Sequence, residues 1–299
     1  MSCYNFPMKN LIAGVDLGGT KISAAVASAK GKLLAIETIP TLAHLGVNKV
    51  TDRIVLSLKT ACKKAGVKLS DIRCIGIGAP GPVDPKSGYV HNPPNLKGWK
   101  KVNLRGIIAK RLGKKVLLEN DANCAAMAEL NFGAGRGFDT FIYVTISTGI
   151  GGGIVIDKKL YTGFSGSAGE IGHMVIDMNG PKCSCGKRGH LEGLAAGPAV
   201  ERMTKMSPER LGELANKGNK KALKQITYTG HLIGLGFSNL VNILNPEAIL
   251  VGGGLSNLGE PLFKAIKATV KANALAPVKI VPARLKKDVG VIGAVSLCL

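Results

Sequence analysis

Long apolar runs are missing from this chain. Hydrophobic residues make up 45% of its 299 positions, yet stretches such as Ala248-Ile249-Leu250-Val251 fall far short of the ~20 residues that span a bilayer. Met1 to Asn10 has no apolar core of a signal peptide, so the default expectation is a cytoplasmic protein with no membrane partner. Cysteine is scarce and odd in number. Cys3, Cys62, Cys74, Cys124, Cys183, Cys185 and Cys298 are scattered along the chain, which argues against a secreted disulfide framework and predicts reduced, mostly buried thiols. Aromatic residues are 4% of the total, and acidic residues are outnumbered by basic ones, 19 to 40, for a formal net charge of +21. A nucleic-acid binder of that charge usually gathers it into a tract with aromatics for base stacking. Here it is spread as pairs such as Lys63-Lys64, Lys100-Lys101 and Lys286-Lys287. That favours a lysine-rich surface that steers small anions such as nucleotides, with no nucleic-acid partner. No Ser/Pro-rich linker or low-complexity tract marks a hinge.

What is present fills two modest α/β domains. Strands are expected at Leu11 to Asp16, Ile22 to Ser28 and Lys32 to Pro40, with a Gly18-Gly19 turn between the first two. Val50, Ile54, Leu58 and Ala61 recur at helical spacing and predict a helix over Val47 to Ala65, stopped by Gly66. A buried strand at Cys74 to Ala79 follows, then a strand at Lys115 to Leu118 and a helix over Ala122 to Leu130. The opening theme returns at Phe141 to Ile156 as strand, glycine turn and strand. Two such units about 130 residues apart fit either a duplicated fold or two unrelated hairpins. Helices are expected over Gly197 to Thr204, Pro208 to Asn216, Lys220 to Leu244 and Glu260 to Asn273, with a strand at Ala248 to Val251. The domain boundary is placed near Lys115 to Glu119, giving domains of residues 1–118 and 119–288.

The densest chemistry lies between Glu170 and Glu192. His173, Cys183, Cys185 and His190 offer two imidazoles and two thiols, the histidines ten residues before and five after the Cys-x-Cys pair. Zinc takes four such ligands tetrahedrally in structural sites, so the loop is either a zinc-stiffened platform or a glycine-rich surface loop with free thiols. The glycine turns are similarly two-sided. Gly18, Gly19 and Thr20, and Thr148, Gly149, Gly151 and Gly152, either cradle phosphates with backbone N–H groups through close approach and unusual φ/ψ, or simply close tight hairpins. Asp121 opens a helix, where an aspartate caps or acts as a base.

Taken in order, Asp16-Leu17-Gly18-Gly19-Thr20-Lys21, Gly78-Ala79-Pro80-Gly81-Pro82-Val83-Asp84, Glu119-Asn120-Asp121-Ala122-Asn123, Thr148-Gly149-Ile150-Gly151-Gly152-Gly153 and the Gly169 to Glu192 loop resemble the ROK family of bacterial sugar kinases and sugar-responsive repressors. The match runs from about Leu11 to the C-terminus, and departs where the family usually has a third cysteine and this chain has His190. The resemblance implies a two-domain actin-like (ribonuclease H-like) ATPase fold of α/β class, with the active site in the interdomain cleft, and a segment 289–299 that returns to the N-terminal domain. It implies ATP as phosphoryl donor, contacted by Gly18, Gly19, Thr20, Lys21, Thr148, Gly149, Gly151 and Gly152, with Gly253 and Gly254 on the adenosine and Asp16 on Mg²⁺. A hexose is expected on Gly81, Asn95, Asn120, Glu170, His173 and Glu192, with Asp121 taking the proton of the attacking hydroxyl. A structural Zn²⁺ on His173, Cys183, Cys185 and His190 would fix the ring of His173. Glucose is the expected substrate, with N-acetylmannosamine or N-acetylglucosamine as the alternative. A repressor of this family adds a DNA-reading N-terminal domain, for which the ten residues before the first strand leave no room. A homo-dimer or tetramer is the family habit.

Overall fold

The computed structural model describes residues 10–93 and 95–299. The segment before Asn10, with Cys3, and Pro94 of the expected sugar loop lie outside the described residues.

The chain divides into two compact units. In the first, strand β1 (Leu11–Leu17) is followed by β2 (Lys21–Ala27) and β3 (Leu33–Pro40), then helix α1 (Gly46–Lys64) and strand β4 (Ile72–Ala79). Val50, Ile54, Leu58 and Ala61 of α1 are all fully buried against this sheet, as their helical spacing predicts. A small antiparallel sheet of β5 (Val83–Asp84), β6 (Tyr89–His91) and β7 (Lys101–Val102) comes next. Helix α2 (Leu104–Leu112) is capped by Asn103, whose side chain accepts the Gly106 N–H, and ends at Gly113 in the left-handed region. Strand β8 (Lys115–Asn120) and helix α3 (Asp121–Phe132) complete the run.

The second unit holds the hairpin β9 (Phe141–Ile146) and β10 (Ile150–Ile156), strand β11 (Lys159–Tyr161), and helices α4 (Leu191–Ala195), α5 (Gly197–Thr204), α6 (Pro208–Asn216) and α7 (Lys220–Leu244). Strand β12 (Ala248–Gly252), helix α8 (Glu260–Asn273) and strand β13 (Lys279–Pro282) follow. Its core gathers Ile142, Val144, Ile233, Phe237, Ile249 and Ile266.

The two five-stranded sheets share one plan. The first runs β3-β2-β1-β4-β8 and the second β11-β10-β9-β12-β13. In each, the first three strands pair antiparallel and the last two add on in parallel. Two unrelated hairpins would not extend this likeness to all five strands, so the repeat is one of whole sheets.

The final helix α9 (Val289–Ser296) belongs to the first unit, with Lys287–Leu299. It lies backbone to backbone on β1 and β4: a Cβ on Gly14 would come within 2.5 Å of the Val295 nitrogen, and one on Gly76 within 1.9 Å of the Ala294 carbonyl oxygen. The boundary differs from the expectation. Strand β8 pairs with β4 along its whole length, and α3 meets both α9 and β4, with Cys124 against Gly293 and Gly78, so the first unit continues to Asn131 rather than stopping at residue 118. No helix among the described residues is long and apolar enough to cross a membrane.

Candidate active site and metal centre

In the first unit the β1–β2 turn is fixed from behind. The Gly18 N–H donates to the Lys21 carbonyl at 3.0 Å, while Thr41 donates its hydroxyl to the Gly18 carbonyl at 2.6 Å and its N–H to the Thr20 carbonyl at 2.8 Å. Neither Gly18 nor Gly19 has a positive φ, which corrects the expectation of unusual dihedrals. Gly19 is required by contact instead, since a Cβ there would sit 2.6 Å from the Cβ and 2.8 Å from the carbonyl oxygen of Asn95. The β1–β2 turn and the loop carrying Asn95 are therefore neighbours within this unit. Asp16, at the end of β1, faces the first turn of α9, where a Cβ on Gly290 would lie 2.5 Å from its Oδ2. Burial holds the Asp16 carboxyl above the ordinary aspartate range, with Lys21 opposing that shift.

The β8–α3 junction is built by carboxamides. Asn120 Oδ1 accepts the N–H groups of Ala122 (2.9 Å) and Asn123 (3.3 Å), which makes Asn120 the helix cap. Asp121 is exposed at the first helical position, its Oδ1 accepting the Ala122 N–H at 2.8 Å. Behind them, buried Glu119 accepts from Asn123 Nδ2 (2.9 Å) and the Asn120 N–H (2.8 Å), and burial raises its carboxyl pKa against those two hydrogen bonds. The Asn120 amide lies over Gly81, where a Cβ would come within 2.9 Å of Nδ2. Asn120, Asp121 and Gly81 are thus brought together. Thr41, Glu119 and Asn123 are supports that the sequence reading did not assign.

In the second unit the turn between β9 and β10 is only Ser147 to Gly149, closed by the Ser147 N–H on the Gly149 carbonyl at 2.8 Å. Gly151 and Gly152 are inside β10, paired with Thr145 and Val144. Gly152 gives its side-chain space to Ile171, whose Cδ1 would lie 2.2 Å from a Cβ there. Gly172 likewise meets the Ile150 carbonyl, 2.1 Å from its ideal Cβ. These contacts seat the Glu170–His173 turn on the hairpin. Gly253, with φ +85°, fits against the Ile146 backbone, and Gly254 neighbours Ser147, so the β12 turn reaches the same hairpin.

Glu192 ties the parts together. Its Oε2 accepts the Ile150 N–H at 3.0 Å, and its Oε1 accepts the Ser184 hydroxyl at 2.6 Å and the Cys183 thiol at 3.2 Å. Burial pushes this carboxyl up, but the hydrogen bonds from Ser184, Ile150 and Cys183 outweigh it and hold the pKa below the ordinary glutamate range. Oε1 thus has both lone pairs engaged, and Oε2 keeps a second one for a further donor.

Potential ligand atoms of His173, Cys183, Cys185 and His190 all lie within 4.8 Å of one another. A tetrahedral zinc site with ordinary Zn–N and Zn–S lengths has edges of ~3.4 Å between two nitrogens and ~3.6 Å between nitrogen and sulfur. His173 Nδ1 to His190 Nδ1 is 3.3 Å, Cys183 Sγ to His173 Nδ1 is 3.8 Å, and Cys185 Sγ to His190 Nδ1 is 3.3 Å. Three edges of the set thus come close to those of a zinc tetrahedron. Burial, with His173 and Lys187 nearby, lowers the His190 pKa and favours the neutral imidazole a metal needs. Using Nδ1 of His173 leaves Nε2 facing Glu170 Oε2 at 3.7 Å.

The ROK family model matches residues 12–299. The chain belongs to the ROK family. Among ROK relatives, the glucokinase of Thermotoga maritima is 36% identical over 96% of each chain. A structure of a ROK family glucokinase from Streptomyces griseus in complex with glucose and AMPPNP is 31% identical, with a TM-score of 0.81 over 96% of this chain and 99% of that one. A xylose repressor of Caldicellulosiruptor bescii is 30% identical over 96% of this chain and 78% of that protein. The fold is the two-domain actin-like ATPase fold of ROK kinases.

Proposed function

We propose that this chain transfers the γ-phosphoryl group of ATP to the 6-hydroxyl of glucose, giving glucose 6-phosphate and ADP. That it is an ATP-dependent sugar kinase rests on its kinase relatives; glucose as the sugar is the finer reading, supported by glucokinases over nearly the whole chain. The observation that carries the mechanism is the division of labour at the start of α3. Asn120 accepts both the Ala122 and the Asn123 N–H groups, while the exposed Asp121 carboxylate shares the first of these, so the cap does not depend on Asp121 alone.

In this mechanism Asp121 accepts the proton of the 6-hydroxyl as its oxygen attacks the γ-phosphorus and the bond to the β-phosphate oxygen breaks. Asn120, through its amide, and Asn95 hydrogen-bond sugar hydroxyls, and Gly81 leaves room beside that amide. Glu170, His173 and the remaining lone pair of Glu192 Oε2 supply further hydroxyl partners. The turns at Gly18-Gly19-Thr20-Lys21 and Thr148-Gly149 hold the phosphates, and Gly253 and Gly254 border the adenosine. Mg²⁺, which would neutralise phosphate charge, would be held by Asp16, whose carboxylate suits a hard cation. Zinc on the His/Cys cluster would be structural, fixing the ring of His173.

An ADP-release assay with ATP and a panel of glucose, mannose, fructose and the N-acetylated hexosamines tests the proposal. Glucose is expected to give the highest kcat/KM. A higher value for N-acetylmannosamine overturns the substrate, and no sugar-dependent release with any hexose overturns the reaction.

A further inference from the structure

Two thiols unused by phosphoryl transfer face each other beneath the first sheet. Cys74 lies in β4, beside Ile12 of β1 and Lys115 of β8 in the strand register, and Cys298 lies just past the end of α9. Their sulfurs are 2.6 Å apart. They are 3% and 5% exposed, within an apolar cluster that includes Ile12, Ala25, Val291 and Val295. The backbone on both sides of the pair is fixed independently. Arg73 Nη2 donates to the Cys298 carbonyl at 2.8 Å, and Gly76, two positions along β4, is pressed against the Ala294 carbonyl.

We propose that Cys74 and Cys298 form a reversible disulfide by exchange with a low-molecular-weight disulfide, and that this bond clamps α9 to the first sheet. The Cys74 thiolate attacks one sulfur of the small disulfide RSSR, forming a mixed disulfide and releasing one thiolate RS⁻. Cys298 gives its proton to solvent, attacks the Cys74 sulfur and displaces the second RS⁻. Once protonated, the products are two RSH and one protein disulfide. Two protein thiols have been oxidised by two electrons, and the small disulfide has been reduced by the same two.

The pair has the asymmetry this sequence needs. The hydrogen bond from Cys298 holds the Cys74 thiol below the usual range against its burial, with Lys115 and Arg73 adding positive charge, and the same contact and burial push Cys298 up. Cys74 is therefore the attacking thiol. Leu299, beside Cys298, is 49% exposed, so local opening of the segment after α9 uncovers both sulfurs to a small disulfide. In a reducing compartment the bond is transient, which makes it a response to oxidant. Because the first turn of α9 meets Asp16, the clamp also holds the helix against which that carboxylate rests. The cross-link spans 224 positions of chain, and stabilisation by loop closure grows with loop length.

The test treats the intact protein with oxidised glutathione, blocks the remaining thiols, and maps disulfide-linked peptides without reduction by mass spectrometry, alongside thermal melting. The expected result is a peptide pair joining Cys74 to Cys298, two hydrogens lighter than the free thiols, and a Tm rise on the order of 10 °C that dithiothreitol reverses. The same treatment of Cys298→Ala is expected to give no rise. The peptide map is made on the wild-type chain, so it stands even if that variant folds poorly. Recovery of both cysteines as unlinked thiols, or a Cys74–Cys298 link with no gain in Tm, overturns the proposal.

Discussion

The hairpins β1–β2 and β9–β10 occupy equivalent places in two sheets of one plan, yet each is held by different means. The first turn is braced by its own unit's backbone and one hydroxyl, with Thr41 on the Gly18 and Thr20 carbonyls and Asn95 packed on Gly19. The second is held through a side chain: Glu192 grips the Ile150 N–H with one oxygen and Ser184 of the cysteine loop with the other. Topology therefore repeats while anchoring does not. The N-terminal copy carries charge at its own strand end, in Asp16 and Lys21, and the C-terminal copy has its support delivered from a loop with a metal-ligand set.

Three substitutions probe that contrast. The largest effect belongs to the N-terminal unit, where Asp121→Asn is expected to lower kcat by roughly 10²-fold or more. Its Tm should stay unchanged, because Asn120 keeps the cap and Asn at position 121 keeps the shape; kcat and melting measured on one preparation check both. Next come the two braces. Glu192→Gln replaces an acceptor with a donor on one side and should cut kcat/KM for both ATP and sugar about tenfold, the worth of one charge-assisted hydrogen bond. Thr41→Val removes the hydroxyl part of the first brace and should raise KM for ATP by a similar factor or less while sparing KM for the sugar. Steady-state kinetics with each substrate varied in turn separates these outcomes, and equal effects of the two variants on the sugar would erase the contrast.

The smallest effect is on stability. Burial raises the folded pKa of Asp16 above the ordinary aspartate value of 3.8, so the fold prefers the protonated form. The unfavourable contribution is absent well below the unfolded pKa, grows as pH rises through the folded pKa, and is complete above it. Asp16→Asn should therefore raise Tm by roughly 2–5 °C at pH 7, lose that gain in acid below the ordinary aspartate range, and weaken binding of the magnesium nucleotide. Melting curves across pH, with and without nucleotide, check the sign.

Much of the fold was legible in the sequence because its elements are strongly patterned. Val50, Ile54, Leu58 and Ala61 declared α1, and Ser207 and Asn219 stand as side-chain caps directly before α6 and α7. The short elements were not read. Helix α2 is signalled only by Asn103 and Gly113, and β5 and β7 are two residues each, too short to show a period. In the site, the metal-ligand set could be named from residue type and spacing. The braces could not, since Thr41 is 23 positions from the carbonyl it holds and Glu192 is 42 from the N–H it accepts. Gly152 carries a packing requirement that its place in a glycine run does not show, set by the side chain of Ile171, distant in sequence.

The contrast between the anchors is tested most directly by removing metal. Protein purified without added zinc is expected to contain one zinc per chain, by elemental analysis. Extracting it with a chelator should weaken glucose binding by about 10- to 100-fold, the range by which losing a group that orients a metal-site histidine lowers affinity or activity, with a smaller loss for the nucleotide, whose first turn does not depend on the loop. Titration calorimetry of both ligands before and after extraction gives the two ratios. Protein that carries no zinc and binds glucose and nucleotide normally would contradict a metal-held second anchor.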